Sequence, residues 1–254
     1  MKQIPNLFTL LNLVFGCIAI VYILQTGQSI VYVEREGFTS WDLPEKIAIG
    51  SFFIFAAGLV DFLDGFVARL FKASSEMGKQ LDSLADVVSF GVAPGLILYQ
   101  MLRISFAKEA DGLDVSFAAL LPAFLVPCAG AWRLAKFNLD TEQKYSFKGV
   151  PIPAAGITIA SLPLIAHYQQ FNFQEVLFNQ WLIYGIIILL SFLMVSNIPL
   201  LSLKFKDISL KNNLPKYILA GIAVVGAIAL KWVAIPAVFI AYVLVSLAFK
   251  NKIE

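Results

Sequence analysis

Residues 59–91 read LVDFLDGFVARLFKASSEMGKQLDSLADVVSFG and place four aspartates, Asp61, Asp64, Asp82 and Asp86, inside or against apolar runs. Those runs are long enough to belong to membrane helices, where an unpaired charge is costly. A short polar joint separates them. The stretch is therefore expected to be two antiparallel helix ends that turn their acids toward one another.

The rest of the chain has the same character. Of 254 residues, 59% are apolar and 14% charged, and the mean hydropathy is +0.80. That composition places the protein in the integral-membrane class. A net charge of +2 gives no reason to expect a nucleic-acid partner. Cys17 and Cys128 sit in apolar stretches, and both are expected to be buried small hydrophobes without a disulfide role. The opening run MKQIPNLFTLLNLVFGCIAIVYIL has too long an apolar core and no small-residue cleavage site. It is expected to be a retained first span.

Hydropathy predicts an all-α membrane protein, a bundle of eight transmembrane helices at 5–25, 46–70, 80–102, 114–136, 151–169, 180–201, 214–230 and 232–249. The last two could also be one helix and a re-entrant piece. Basic residues test the count. With Met1 inside, the inner segments hold Lys2, Arg69, Lys72, Lys79, Arg133, Lys136, Lys144, Lys148, Lys204, Lys206, Lys211, Lys216, Lys250 and Lys252. The outer segments hold Arg35, Lys46, Arg103, Lys108 and Lys231. Fourteen against five of the 19 basic residues favours eight spans with both termini cytoplasmic. Residues 1–201 form a six-span core on this expectation. Residues 202–254 add a basic segment, weakly amphipathic over 202–213 and suited to an anionic lipid surface, and two further spans.

This topology sets all four aspartates at one depth, near the cytoplasmic interface. Spacing i, i+3 puts Asp61 and Asp64 on one helix face, and spacing i, i+4 does the same for Asp82 and Asp86. Four clustered carboxylates repel one another, and Arg69 alone does not compensate them. A pair of hard divalent cations does, with carboxylate oxygens suiting Mg²⁺ or Mn²⁺. Gly65, Ala68 and Gly78 leave the neighbouring faces nearly bare, so a bulky ligand can approach the backbone. Paired metals with room for a ligand are the pattern of phosphoryl transfer. The competing expectation is an ion or proton pathway. A pathway should continue across the bilayer, and spans 4 to 8 carry no acid at mid-depth.

DFLDGFVARLFKASSEMGKQLDSLAD also resembles the signature of the CDP-alcohol phosphatidyltransferases, D-x2-D-G-x2-A-R-x8-G-x3-D-x3-D. Asp61, Asp64, Gly65, Ala68, Arg69, Gly78, Asp82 and Asp86 fill its eight positions. The resemblance implies transfer of a phosphatidyl group from a CDP-linked lipid to a small alcohol, with CMP leaving. It implies one metal on Asp61, Asp64 and Asp82, a second on Asp61, Asp82 and Asp86, and Asp86 as the base. It further implies that Gly65, Ala68 and Gly78 make room for the nucleotide, and that Arg69 and Ser75 contact its phosphates or cytidine. In IPNLFT, which looks like the family's first-span start, Asn6 and Thr9 would help hold the CDP group. The amphipathic helix that precedes this span in some members is not expected ahead of it here.

Three further stretches resemble the phosphatidylserine-forming bacterial branch of that family: IPNLFTLLNLVFGCIAI, SFGVAPGLILY and RLAKFN…FKGVPIPAA. The implied substrates are CDP-diacylglycerol and L-serine, at an inner membrane with the active site on the cytoplasmic side. A homodimer is also implied. Serine is a zwitterion and needs a cation for its carboxylate. Arg133 and Lys136, level with the aspartates, are the acceptor-binding candidates, with Ser89 a further one. The same chemistry on glycerol 3-phosphate or inositol phosphate is the alternative within the family, and would demand a more cationic pocket. A carboxylate-based ion transporter is the alternative outside it.

Overall fold

The computed structural model describes residues 4–25, 32–33, 39–40, 45–70, 75–108, 115–139, 147–201 and 210–249. Among these it is helical nearly throughout. The helices are α1 (Ile4–Leu24), α2 (Glu45–Leu70), α3 (Glu76–Asp86), α4 (Ala93–Phe106), α5 (Phe117–Leu120) and α6 (Leu125–Leu139). They continue as α7 (Ile152–His167), α8 (Gln174–Leu177), α9 (Gln180–Val195), α10 (Leu210–Leu230) and α11 (Ala234–Ala248). Four two-residue strands pair antiparallel as β1 (Tyr32–Val33) with β2 (Thr39–Ser40), and β3 (Phe147–Lys148) with β4 (Pro199–Leu200).

Each of the eight apolar segments expected from hydropathy is helical, and most ends fall within about four residues of expectation. The exception is 180–201, which stops at Val195. Ser196 is already extended, and Pro199 disfavours helix in the residue before it. Five helical runs are long and apolar enough to cross a membrane: Pro5–Leu24, Lys46–Val67, Glu76–Phe106, Phe117–Leu139 and Asn213–Ala248. Ile152–His167 and Gln180–Val195 are apolar but shorter. The 36-residue run 213–248 is not straight. Lys231 adopts φ 49°, and a Cβ on Gly226 would lie 3.9 Å from Val238. In one straight helix, residues twelve apart are about 18 Å apart, so α10 and α11 form a hairpin.

The expectation for the cysteines is corrected. Cys17 and Cys128 are free and exposed, on the outer surface of the bundle. An apolar run does not distinguish protein from lipid as its neighbour, because both are apolar.

Glu76–Phe106 is one continuous helical run with a widened turn. Ser75 caps its start, its Oγ accepting from the Gly78 N–H at 3.0 Å. Immediately after Asp86, residues Val87–Val92 form a π-turn, and the Ala93 N–H donates five residues back to the Val88 carbonyl. The π-turn presses Phe90, fully buried, against α7. Almost all of α7 is buried, as expected of a helix apolar on every side at the centre of a bundle. A Cβ on Gly156 of α7 would lie 2.8 Å from the Phe90 carbonyl oxygen and 2.9 Å from its Cα. Backbone cannot retreat as a flexible side chain can. Gly156→Ala is expected to cost about 1–3 kcal/mol and lower the melting temperature in detergent. Gly221→Ala, with nothing within 4 Å of the added carbon, is expected to leave it unchanged or raise it. Equal melting temperatures for the two variants would contradict this packing.

α6 packs along α9 and also against the π-turn. The β3–β4 pair ties the chain entering α7 to the chain leaving α9. Gly149 makes the junction at φ 75°, its N–H donating to Ile198 at 2.9 Å, while the Val150 N–H donates to Leu193 at 3.0 Å.

Candidate active site

The C-terminal half of α2 carries Asp61 and Asp64, and α3 carries Asp82 and Asp86. α1 packs against both helices, and carboxylates from the two meet. Oxygens of Asp61, Asp82 and Asp86 all lie within 4.8 Å of one another. Asp86 is 6% exposed, and Asp61 and Asp82 are half-buried. Asp64 stands beside the trio, 7% exposed. Its Oδ2 accepts from the Thr9 hydroxyl, and its Oδ1 is buried without a hydrogen-bond partner among the described residues.

α1 forms the floor of this cluster. Thr9 reaches Asp64. One turn on, Asn12 is fully buried and donates its amide to Asp86 Oδ1 at 3.4 Å. The π-turn is tied to the same residue, with Ser89 donating to the Asn12 carbonyl at 3.0 Å. Ser89 is thus fully buried against α1, its hydrogen committed there. Three carboxylates this close repel strongly at low dielectric and call for compensating positive charge. An all-oxygen donor set with a spare buried oxygen on Asp64 fits a hard divalent cation such as Mg²⁺ or Mn²⁺.

Beside the cluster the surface is open. A Cβ on Gly65 would meet nothing within 4 Å, whereas one on Gly78 would lie 3.0 Å from Asn6 Oδ1 and 3.0 Å from Ser75 Oγ. Asn6, Ser75 and Gly78 are therefore gathered on one side of the acids, with Thr9 beneath them. Ala68 and Arg69 continue α2, but their side chains lie outside the described residues.

The other side is built by α6 and the end of α9. A cleft there is lined by Trp132, Arg133, Lys136, Ser196 and Asn197, among others. Arg133 is 8% exposed, lies within electrostatic reach of Asp86, and has a buried Nε without a hydrogen-bond partner among the described residues. Lys136 is exposed and donates to Asn197 Oδ1 at 2.6 Å. Asn138 donates to Ser83 Oγ at 2.9 Å, which joins α6 to the acid-bearing α3.

A family model described as CDP-alcohol phosphatidyltransferase matches residues 2–198. The chain belongs to this family. Curated relatives include the CDP-diacylglycerol–serine O-phosphatidyltransferase of Helicobacter pylori (strain J99), 35% identical over 85% of this chain and 77% of that protein. The enzyme of the same name from Bacillus subtilis is 33% identical over 64% of this chain and 76% of its own length. An archaetidylserine synthase of Methanothermobacter thermautotrophicus is 36% identical over 46% of each chain.

In this CDP-alcohol phosphatidyltransferase, three of the four acids that the signature selects, Asp61, Asp82 and Asp86, cluster, and Asp64 lies beside them on Thr9. The sequence left Asn12 and Asn197 unassigned. Asn12 had a readable signal: Asn6, Thr9 and Asn12 recur every third residue on one face of an otherwise apolar helix. Asn197 had none, because its partner Lys136 is 61 residues away in the chain.

Proposed function

We propose that this enzyme transfers the phosphatidyl group of CDP-diacylglycerol to L-serine, giving phosphatidylserine and CMP. The observation that carries the reading is the Asp61–Asp82–Asp86 cluster with Arg133 in reach of Asp86. Relatives covering most of the chain that are named for serine transfer support the choice of acceptor.

Asp86, oriented by Asn12, takes the proton of the serine hydroxyl. The serine oxygen then forms a bond to the phosphorus that carries the diacylglycerol, the bond from that phosphorus to the CMP oxygen breaks, and Asp86 releases its proton to water. Two Mg²⁺ or Mn²⁺ ions held by Asp61, Asp64, Asp82 and Asp86 would supply positive charge against the diphosphate. Asn6, Thr9, Gly65, Ala68, Arg69, Ser75 and Gly78 hold the CDP group, with Gly65 leaving the needed space. Arg133 and Lys136 face the serine carboxylate across the cleft, and Ser89 supports them indirectly by fixing the π-turn.

The chain carries this chemistry on eight spans with both termini cytoplasmic, as its basic residues favour. Residues 1–201 form the catalytic core and 202–254 the appended pair of spans. The site faces the cytoplasm and the inner leaflet of the inner membrane, so the lipid arrives sideways while serine arrives from water. The working unit is a homodimer.

The test is CMP release by purified protein given CDP-diacylglycerol with L-serine, glycerol 3-phosphate or an inositol phosphate, each with Mg²⁺, Mn²⁺ or neither. Release is expected only with L-serine and a divalent cation. Release only with a phosphorylated alcohol would overturn the acceptor, and no release under any condition would favour ion transport.

A further inference from the structure

Arg133 and Lys136 line one cleft but stand at different depths in it. Arg133 is buried, while Lys136, one turn further along α6, is exposed. An exposed lysine ordinarily samples many rotamers, because its ammonium sits on a flexible four-carbon stem. Here the ammonium is tied to the other wall of the cleft, donating to Asn197 Oδ1 at 2.6 Å.

Asn197 can serve as that tie because the backbone is pinned on both sides of it. Before it, the Ser196 N–H donates to the Phe192 carbonyl and the Ser196 Oγ to the Leu193 carbonyl, each at 2.9 Å. After it, the Ile198 carbonyl accepts from the Gly149 N–H at 2.9 Å, and Pro199–Leu200 pair with Phe147–Lys148. The Leu201 N–H then donates to Ser246 Oγ at 3.1 Å. The end of α9 is thus a fixed ledge. The end of α6 is fixed in its turn by the Asn138 bond to Ser83 at 2.9 Å.

The chemistry of the partner matters as much as its place. An ammonium has three hydrogens and no acceptor, so the amide presents its oxygen and takes one of them. A neutral oxygen orients the cation and leaves its charge and its other hydrogens to a ligand. A carboxylate on the same ledge would form an ion pair and cancel that charge. The cleft therefore keeps a buried guanidinium and an oriented, uncancelled ammonium on one face of α6, an arrangement that suits an anionic group arriving from water.

We propose that Asn197 is a positioning residue for Lys136, holding its ammonium at the mouth of the Arg133 cleft for the carboxylate of the acceptor. The proposal rests on the reading above in placing Arg133 and Lys136 at the serine carboxylate.

The test uses the full-length enzyme with Asn197→Ala, Asn197→Asp, Lys136→Met and the Asn197→Ala/Lys136→Met double variant. The KM for each substrate and the melting temperature are measured. Asn197→Ala is expected to raise the KM for L-serine about threefold and leave that for CDP-diacylglycerol unchanged. Asn197→Asp keeps an acceptor oxygen at the same place but cancels the charge, and should raise the serine KM about tenfold. A tie that only joined α6 to α9 would give the opposite order, with aspartate restoring what alanine loses. The double variant should match Lys136→Met alone. An unchanged serine KM in Asn197→Ala, rescue by Asn197→Asp, or independent effects in the double variant would each overturn the proposal. So would a lower melting temperature accompanied by equal rises in both KM values. Failure of the serine reading looks different, since the unsubstituted enzyme would then release no CMP with L-serine. If it releases CMP with another anionic acceptor, the same four variants decide the pairing on the KM for that acceptor. If it releases CMP with none, the proposal falls together with the reading.

Discussion

Asp86→Asn is expected to reduce CMP release at least about 10³-fold while the protein keeps its fold and still binds the nucleotide. The expectation follows from what the exchange removes. Asparagine has the volume of aspartate, so the packing against Asn12 and the π-turn survives. It cannot take a proton from an alcohol, and a positioned base contributes about 10²–10⁴-fold. It also removes one anionic oxygen from a three-carboxylate cluster. Turnover assayed by CMP release, beside CDP-diacylglycerol binding by calorimetry, separates the two consequences. Full activity would remove Asp86 from the role of base. Lost binding with partial activity would make it a cation ligand only.

Asp61→Asn is expected to abolish activity at every Mg²⁺ or Mn²⁺ concentration, because Asp61 belongs to both proposed metal sets. Its second effect runs the other way. Asp61 is one of three carboxylates whose oxygens lie within 4.8 Å of one another, and without cations they repel. Replacing one with a neutral amide relieves that repulsion. The variant should therefore melt at a higher temperature than the unsubstituted protein when both are metal-free. Mg²⁺ should then stabilise the unsubstituted protein and leave the variant unmoved. A metal-free variant that is less stable than the original would mean that the acids are held by hydrogen bonding and not for cations. Activity of the unsubstituted enzyme that survives in EDTA would likewise rule out a metal role for the acids.

How much of this could be read from the sequence depends on the range of the interaction. Apolar segments are set by local composition, and all eight were legible as helices. The spacing of Asp61, Asp64, Asp82 and Asp86 is equally local, since 3.6 residues per turn fixes which side chains share a face. Contacts such as Tyr242 with Leu201, or Lys136 with Asn197, join distant helices and leave no periodic trace. The cysteines failed for another reason. In a lipid-facing helix the outward side is as apolar as the inward side, so hydropathy carries no direction for Cys17 or Cys128. Nor did composition reveal the π-turn, because VVSFGV contains no residue that forbids an ordinary α-helix.

That turn has a mechanical meaning. An α-helix advances about 100° per residue, so one residue accommodated in a wider turn shifts the angular phase between the segments on either side. The half of the run that carries Asp82 and Asp86 and the half that lies among its neighbours as α4 are thereby decoupled in rotation. Each can be set for its own task, one aimed at a reacting phosphorus and the other fitted to its packing. Deleting a single residue from 87–92 would remove almost no volume, yet it would force one of those halves to turn away from its target.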